Sequence, residues 1–200
     1  WALVAYSTWG FSFLLPQILQ KAAKSMVYVS ILLIVLVGAL GYAVTAAVID
    51  RVSRRIFLGV SLIVLAFVMA TIAISDNVTW LIVVSMASNF FASAPWSILY
   101  VYTPEVYPTT VRATGYGLAT AFARLGGALA PIVSEVAFAS SPSAPFLIDS
   151  ILMLLAGLVS FALPIETVGK NLSDDIDDGN TATPSVQPYK YTQASQVVTA

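Results

Sequence analysis

Six long apolar segments, separated by short polar breaks, make up most of this chain. They cover residues 1–20, 26–49, 56–75, 79–103, 113–138 and 145–165. A helix needs about 20 mostly apolar residues to cross the hydrocarbon core of a bilayer, and every segment is long enough. Because lipid offers the backbone no hydrogen bonds, helices are the expected conformation. We therefore predict an all-α membrane protein with six transmembrane helices within residues 1–168. The short breaks predict that consecutive helices are antiparallel neighbours.

The composition indicates a multi-pass integral membrane protein. Hydrophobic residues make up 58% of the chain and charged residues 10%, whereas an ordinary soluble domain has about 25% charged residues. The net charge of −1 shows no basic excess, so nucleic acid is not an expected partner. The chain has no cysteine, which excludes disulfides, thiolate chemistry and cysteine zinc sites. The sequence also has no phosphate-binding glycine loop, catalytic triad or metal-binding cluster, so we expect no enzyme, no cofactor and no metal.

The basic residues orient the helices. One side of the predicted membrane domain holds Arg51, Arg54, Arg55, Arg112 and Lys170, and the other side holds Lys21 and Lys24. Cytoplasmic loops carry an excess of Lys and Arg, so the C-terminus is expected in the cytoplasm. The sequence does not distinguish a plasma membrane from an endomembrane. Residues 169–200 are polar and acidic, which predicts a disordered cytoplasmic tail.

A polar elbow, residues 103–115, joins the fourth and fifth segments. Two prolines force a turn there, and the turn puts Glu105 and Arg112 at the same membrane interface. Glu105 can pair with Arg112 or with the basic cluster at residues 51–55 that follows the second segment. Such pairs can lock one conformation and release another. The alternative is a static salt bridge, which is worth only about 0–1 kcal/mol when it is exposed.

Three motifs lie on the same side as the elbow. They are D-R-x-x-R-R from Asp50, P-E-x-Y-P-x-x-x-R-x-x-G from Pro104 and P-I-E-T-x-G-K from Pro164. Together they resemble the major facilitator superfamily, and residues 1–172 match the C-terminal six helices of its twelve-helix fold. Within the superfamily the chain is most similar to the synaptic-vesicle-protein-related and organic ion transporters. The resemblance, and a first residue that already lies in an apolar stretch, lead us to expect that an N-terminal six-helix half is missing.

The resemblance implies transport by alternating access, in which two six-helix halves rock around a central site. It also implies a cytoplasmic charge network that steadies the outward-facing state. This half's share of that network would consist of Asp50, Arg51, Arg54, Arg55, Glu105, Arg112 and Glu166. The expected partners are a small organic solute, the lipid bilayer and the missing half.

Arg124 is the strongest candidate for contact with the solute. It lies about 18 Å along the fifth helix from the interfacial Arg112, which is near the midplane of a hydrocarbon core about 30 Å thick. Secondary transporters bind substrates at that depth, and a charge there is costly. We hypothesise that Arg124 binds an anionic group such as a carboxylate through its bidentate fork. The alternative is a structural ion pair that holds helices together.

Several other polar or aromatic residues are candidates for the same cavity. Tyr116 and Thr120 precede Arg124 at a spacing of four, so this row can line a cavity. Asn89 and Trp96 on the fourth helix and Tyr6 on the first can contact solute. Alternatively, Asn89 bridges two helices and the aromatic residues are lipid- or core-facing.

Two acidic residues lie nearer the outer surface. Glu135 follows Arg124 by about three helical turns, so it shares the face of Arg124. It is a possible gate or proton site, and the alternative is a solvated helix end. Asp149 opens the last helix, where the helix dipole favours a carboxylate.

The sequence therefore predicts a secondary carrier for a small organic solute that is expected to be ionic. Proton coupling and the identity of the solute stay open. One alternative is a sugar porter, against which Arg124 argues because a neutral sugar needs no charge. An alternative of another class is a non-transporting membrane receptor or scaffold with a transporter-like fold.

Overall fold

The computed structural model describes residues 1–22, 26–74 and 77–163, and these residues form six α-helices. The helices are α1 (Ala2–Ala22), α2 (Val27–Val48), α3 (Arg54–Ile74), α4 (Val78–Val106), α5 (Arg112–Ser140) and α6 (Ala144–Phe161). Each is long and apolar enough to cross a membrane. The predicted all-α membrane fold is thus confirmed. The predicted tail at residues 169–200 lies outside the described residues.

The elbow differs from the predicted break in one respect. α4 continues through Pro104 to Val106, whereas the predicted segment ended at residue 103. The helix ends at Tyr107, whose backbone is extended (φ −93°, ψ 135°). Tyr107 precedes Pro108, and proline disfavours the helical conformation of the residue before it. α5 then begins at Arg112. We call the end of the bundle that holds residues 49–53 and 107–111 the elbow end.

The closest helix pairs are not consecutive in the sequence. α1 packs along α5, α2 along α4 and α3 along α6, and among the described residues α2 and α3 make no direct packing contact. The prediction that consecutive helices are neighbours is therefore wrong for α2 and α3. Helices in lipid lack a hydrophobic driving force toward each other, so small residues that permit close approach decide which helices pair.

Glycines mark these close approaches. A Cβ added to Gly41 of α2 would lie 2.6 Å from the Phe90 carbonyl oxygen of α4. A Cβ on Gly126 of α5 would collide with the backbone carbonyl of Ala2 in α1, and one on Gly59 of α3 would meet α6. The three closest pairs thus each contain a glycine at a point where the helices nearly touch.

We expect Gly41→Ala to destabilise the protein. Alanine is normally the better helix former by about 1 kcal/mol, but its Cβ has no room beside α4, and overpacking costs about 1–3 kcal/mol. Leu40→Ala is the control, because Leu40 is 63% exposed on the same helix. Thermal unfolding of the complete protein in detergent measures both. Equal unfolding midpoints for the two variants would contradict the close packing of α2 on α4.

Candidate functional site

An ion pair joins two helix ends at the elbow end. Arg54 Nη1, in the first turn of α3, contacts Glu105 Oε2 near the end of α4, and Arg54 Nη2 lies 3.5 Å from Asp50 Oδ1. Arg54 is only 8% exposed, whereas the Asp50 side chain is 80% exposed. A shielded charge requires a close counter-charge. Glu105 is therefore the main carboxylate that compensates the guanidinium.

The other members of the predicted charge network are placed differently. Of the two partners that the sequence offered to Glu105, the structure pairs it with the cluster at 51–55, through Arg54. Arg51 is exposed and Arg55 is half-buried. Glu166 lies outside the described residues. The function of the network in switching stays a prediction.

The elbow is held by contacts that use the residues of its motif. Arg112 Nε donates a hydrogen bond to the Tyr107 carbonyl oxygen at 3.2 Å. The Tyr107 ring lies against Gly115, where a Cβ would come within 2.7 Å of the ring carbons. Pro108 fixes the extended backbone of Tyr107. Arg112 thus closes the turn between α4 and α5.

The outward-facing residues of α5 form two stripes. One stripe is apolar and strongly exposed and consists of Leu118, Leu125, Leu129 and Val136. The other is also exposed and consists of Gly117, Ala121, Arg124, Ala128 and Glu135. At about 100° per residue, the two stripes are centred roughly 90° apart around the helix. The first suits lipid. The second suits protein or water, since a charge that faces hydrocarbon is costly and small side chains admit a neighbour.

Arg124 is exposed within this polar stripe. Among the described residues it forms no ion pair or hydrogen bond. The alternative of a structural ion pair is therefore not met within residues 1–22, 26–74 and 77–163. The indole of Trp9 lies over Gly127, one turn from Arg124. The guanidinium is thus open to a ligand or to another part of the protein, with an aromatic surface on a neighbouring turn.

Four aromatic side chains, from α4, α5 and the residue before α1, form a cluster closer to the elbow end. The cluster consists of Trp1, Trp96, Tyr100 and Tyr116, with ring centroids 5.1–6.5 Å apart in the five contacting pairs. Tyr100 and Tyr116 also line an open groove of about 530 Å³ between α4 and α5, a volume in the range of small-molecule sites. Thr120, by contrast, donates its hydroxyl to the Gly117 carbonyl of its own helix.

A smaller polar cavity lies inside the bundle, lined by residues of α1, α2, α3, α4 and α6. Its volume is about 70 Å³, and its polar lining consists of Ser7, Thr8, Ser12, Tyr42, Ser88, Asn89, Ser93 and Trp96. Trp96 Nε1 donates to Thr8 Oγ1 at 3.1 Å across this cavity. The Asn89 side chain lies directly against Gly38 of α2. The cavity is too small for an organic solute, so Asn89 and Trp96 contribute to helix contacts here.

Tyr6 of α1 and Asp149 of α6 lie together on a side of α1 that differs from the side facing Asn89 and Trp96. The Tyr6 hydroxyl is close to Ser134 of α5, and its electrostatic neighbour is Asp149 of α6. Asp149 is the sixth residue of α6 rather than its first turn, and it is 1% exposed. The interpretation of Asp149 as a carboxylate at the helix dipole is therefore wrong. The structure does not bring Tyr6 together with Asn89 or with the aromatic cluster.

Sequence reasoning missed several residues of these sites. Trp1, Tyr100 and Tyr42 were not predicted, although Trp96 and Tyr100 share a spacing of four that places them on one helix face. Tyr42 follows Gly41, and no periodic signal marks it as cavity-facing. Among the described residues no group of three acidic, cysteine or histidine side chains is close enough to hold a metal ion.

Comparisons with known proteins agree with the motifs. The family model described as Major Facilitator Superfamily matches residues 2–197. The Synaptic vesicle 2-related protein of Bos taurus is 35% identical over 134 residues, which are 67% of this chain and 24% of that protein. The Putative niacin/nicotinamide transporter NiaP of Bacillus subtilis is 34% identical over 135 residues, 66% of this chain and 34% of that protein. The Niacin transporter NiaP of Acinetobacter baylyi is 31% identical over 176 residues, 86% of this chain and 40% of that protein.

The chain spans 24–40% of the length of these relatives. The family match nevertheless covers nearly the whole chain, and the helices have the length and composition of membrane spans. The chain is thus part of a multi-pass integral membrane protein of a transporter family and not an enzyme. It belongs to the Major Facilitator Superfamily.

Proposed function

We propose that this chain is the C-terminal half of a secondary carrier that moves a small organic anion across a membrane by alternating access. In this proposal the elbow end is cytoplasmic and a second six-helix half faces the polar stripe of α5. The observation that carries the proposal is the position of Arg124. Its exposed guanidinium has no partner among the described residues, and it lies at about half the depth of the membrane domain.

The chemistry of Arg124 favours a carboxylate. Guanidinium presents two parallel N–H groups that match the two oxygens of a carboxylate. In a cavity of low dielectric this contact is stronger than in water. A carboxylate solute would also supply a counter-charge that Arg124 lacks among the described residues, which offsets part of the cost of a charge in the membrane.

The aromatic side chains near Arg124 favour a solute with a flat ring. Trp9 lies one turn away, and Tyr116 lies two turns toward the elbow end within the aromatic cluster. Aromatic pairs prefer stacked or edge-on contacts, which a heteroaromatic ring can join. One relative is named as a niacin transporter and another as a putative niacin/nicotinamide transporter, and niacin is an aromatic carboxylate. We therefore propose aromatic monocarboxylates as the solute class.

In this proposal the Arg54–Glu105 ion pair lies at the cytoplasmic end and stabilises one of the two conformations. It ties the start of α3 to the end of α4. A pair that forms in one conformation and opens in the other biases their equilibrium by its own free energy. Such a device suits a carrier that must alternate between two states.

Uptake into proteoliposomes by the complete protein tests the solute class. The panel consists of radiolabelled nicotinate, carnitine and glucose, at equal concentrations and protein amounts. We expect nicotinate to accumulate above the rate of empty vesicles and glucose not to. Accumulation of glucose alone would favour the sugar porter, and uptake of none of the three would favour a receptor or scaffold.

A further inference from the structure

We propose that Asp149 is the proton-binding site of this carrier, loaded from the small polar cavity by way of the Ser7 hydroxyl. The inference rests on the proposed transport function and adds the coupling ion to it. It starts from an acidic side chain that the solute site does not use. Asp149 is 1% exposed, and neither of its carboxylate oxygens has a hydrogen-bond partner among the described residues.

Among the described residues no cation faces Asp149. α6 packs against α3, α1 and α5. From α1 the titratable group that faces Asp149 is Tyr6. The titratable residues of α5 are Arg112, Tyr116, Arg124 and Glu135; Arg124 and Glu135 are exposed on the polar stripe, and the other two lie toward the elbow end. The titratable residues of α3 are Arg54 and Arg55.

The arginines of α3 are far from the carboxylate. Ser150, next to Asp149, donates its hydroxyl to the Ala66 carbonyl at 2.9 Å, so Asp149 is level with Ala66. That level is about 18 Å along α3 from Arg54. An ionised carboxylate in this position would be buried in a membrane protein with no counter-charge from residues 1–22, 26–74 and 77–163, which is strongly unfavourable. Binding a proton removes the charge.

Ser7 connects the carboxylate to the polar cavity. Its hydroxyl faces Asp149 without completing a hydrogen bond of good geometry, and Ser7 is itself 1% exposed with an unpartnered hydroxyl. Ser7 also lines the cavity of about 70 Å³, together with Met153 one turn from Asp149. A polar cavity of that size has room for ordered water and several groups to bind it. An excess proton on water there can pass to Ser7 Oγ while the original Ser7 hydroxyl proton moves to an Asp149 oxygen, and the reverse step returns it.

A pair of buried aromatic rings lies beside Asp149. Phe11 and Phe146 stack edge-on with ring centroids 6.4 Å apart, and each is 4% exposed. Phe11 lies one turn beyond Ser7 and Phe146 one turn before Asp149, so the pair lies on the side away from the elbow end. The rings form an apolar barrier on that side of Asp149, and Phe11 also lines the polar cavity. The polar surroundings that Asp149 can reach are thus those of the cavity, through Ser7.

Two measurements on the complete protein test the proposal. In proteoliposomes with an inward proton gradient, we expect the wild type to accumulate nicotinate above the external concentration. Asp149→Asn should lose this accumulation and Asp149→Glu should keep it in part. Infrared difference spectra of the purified protein should contain a band of a protonated carboxylic acid that Asp149→Asn lacks. Gradient-driven accumulation by Asp149→Asn, or a spectrum identical to that of the wild type, would overturn the proposal.

A serine pair controls for misfolding and tests the path. Ser7→Ala retains the carboxylate, so we expect slower gradient-driven uptake and a shifted infrared band. Ser85→Ala removes another buried, unpartnered hydroxyl that does not line the cavity, and it should match the wild type. Equal behaviour of the two variants would overturn the path through Ser7. If the wild type moved no organic anion, the proposed function would fail, while the infrared band would still decide whether Asp149 holds a proton.

Discussion

Replacing Arg124 by alanine should lower the apparent affinity of the complete carrier for nicotinate by about 30-fold or more. Loss of one partner of a desolvated charge pair costs about 2–5 kcal/mol, and each 1.4 kcal/mol is a factor of about ten. The affinity of Arg124→Lys should fall between those of the wild type and Arg124→Ala, because lysine keeps the charge but loses the planar fork. The measurement is the concentration dependence of uptake into proteoliposomes at equal protein content.

Leu125→Ala is the matched control for Arg124→Ala. Leu125 is the next residue of α5 and is 60% exposed on the apolar stripe. Its truncation alters the same helix without touching the polar stripe, so uptake should stay within about twofold of the wild type, as for most exposed positions. Normal affinity and rate in Arg124→Ala would contradict a binding role for Arg124.

Replacing Glu105 by alanine should destabilise the conformation described here by about 3–5 kcal/mol. The substitution removes the carboxylate that contacts Arg54, which is 8% exposed. A charge that stays buried after its partner is removed keeps the cost of desolvation without the attraction. Thermal unfolding of the purified complete protein should show a lower midpoint.

The chain provides two controls for the ion pair. Asp50→Asn removes the 80% exposed partner at 3.5 Å from the same guanidinium, and such exposed pairs are worth about 0–1 kcal/mol. The double variant Arg54→Met with Glu105→Leu should recover much of the lost stability, because an apolar pair avoids the desolvation cost. An equal loss in Asp50→Asn and Glu105→Ala would contradict the assignment of Glu105 as the main partner.

The six helices could be predicted because their signal is local. Length and apolar composition determine which segments can span a bilayer, and the predicted segments correspond to α1–α6. At the elbow, the start of α5 at Arg112 lies one residue from the predicted segment, whereas the end of α4 does not match, because the helix continues through Pro104 until Pro108 forces Tyr107 out of it. The motifs identified the family for the same reason, because each is a short and contiguous stretch of the sequence.

The pairing of the helices could not be predicted, because it depends on how each helix is rotated about its axis. Gly41 and Gly126 are small in the sequence, but which helix each faces follows only from the folded chain. The choice of partner for a charged residue also follows only from the folded chain. Glu105 had two possible partners in the sequence and contacts Arg54 in the structure.

Asp149 shows the limit most clearly. Near a helix start, a carboxylate suggested a helix-dipole effect. The rotation of α6 instead points it at α1, where Ser7 and Tyr6 lie. A single carboxylate in an apolar segment carries no sequence signal for its neighbours, so its burial could be found only from the packing of three helices.

Competition between an acid and its neutral amide tests the central claim most directly. The measurement is uptake of labelled nicotinate into proteoliposomes of the complete protein, in the presence of unlabelled nicotinate or nicotinamide. If Arg124 binds the carboxylate, nicotinate should compete much more strongly than nicotinamide in the wild type, and Arg124→Gln should lose that preference. Equal competition in the wild type, or a preference that survives in Arg124→Gln, would contradict the recognition of an organic anion by Arg124.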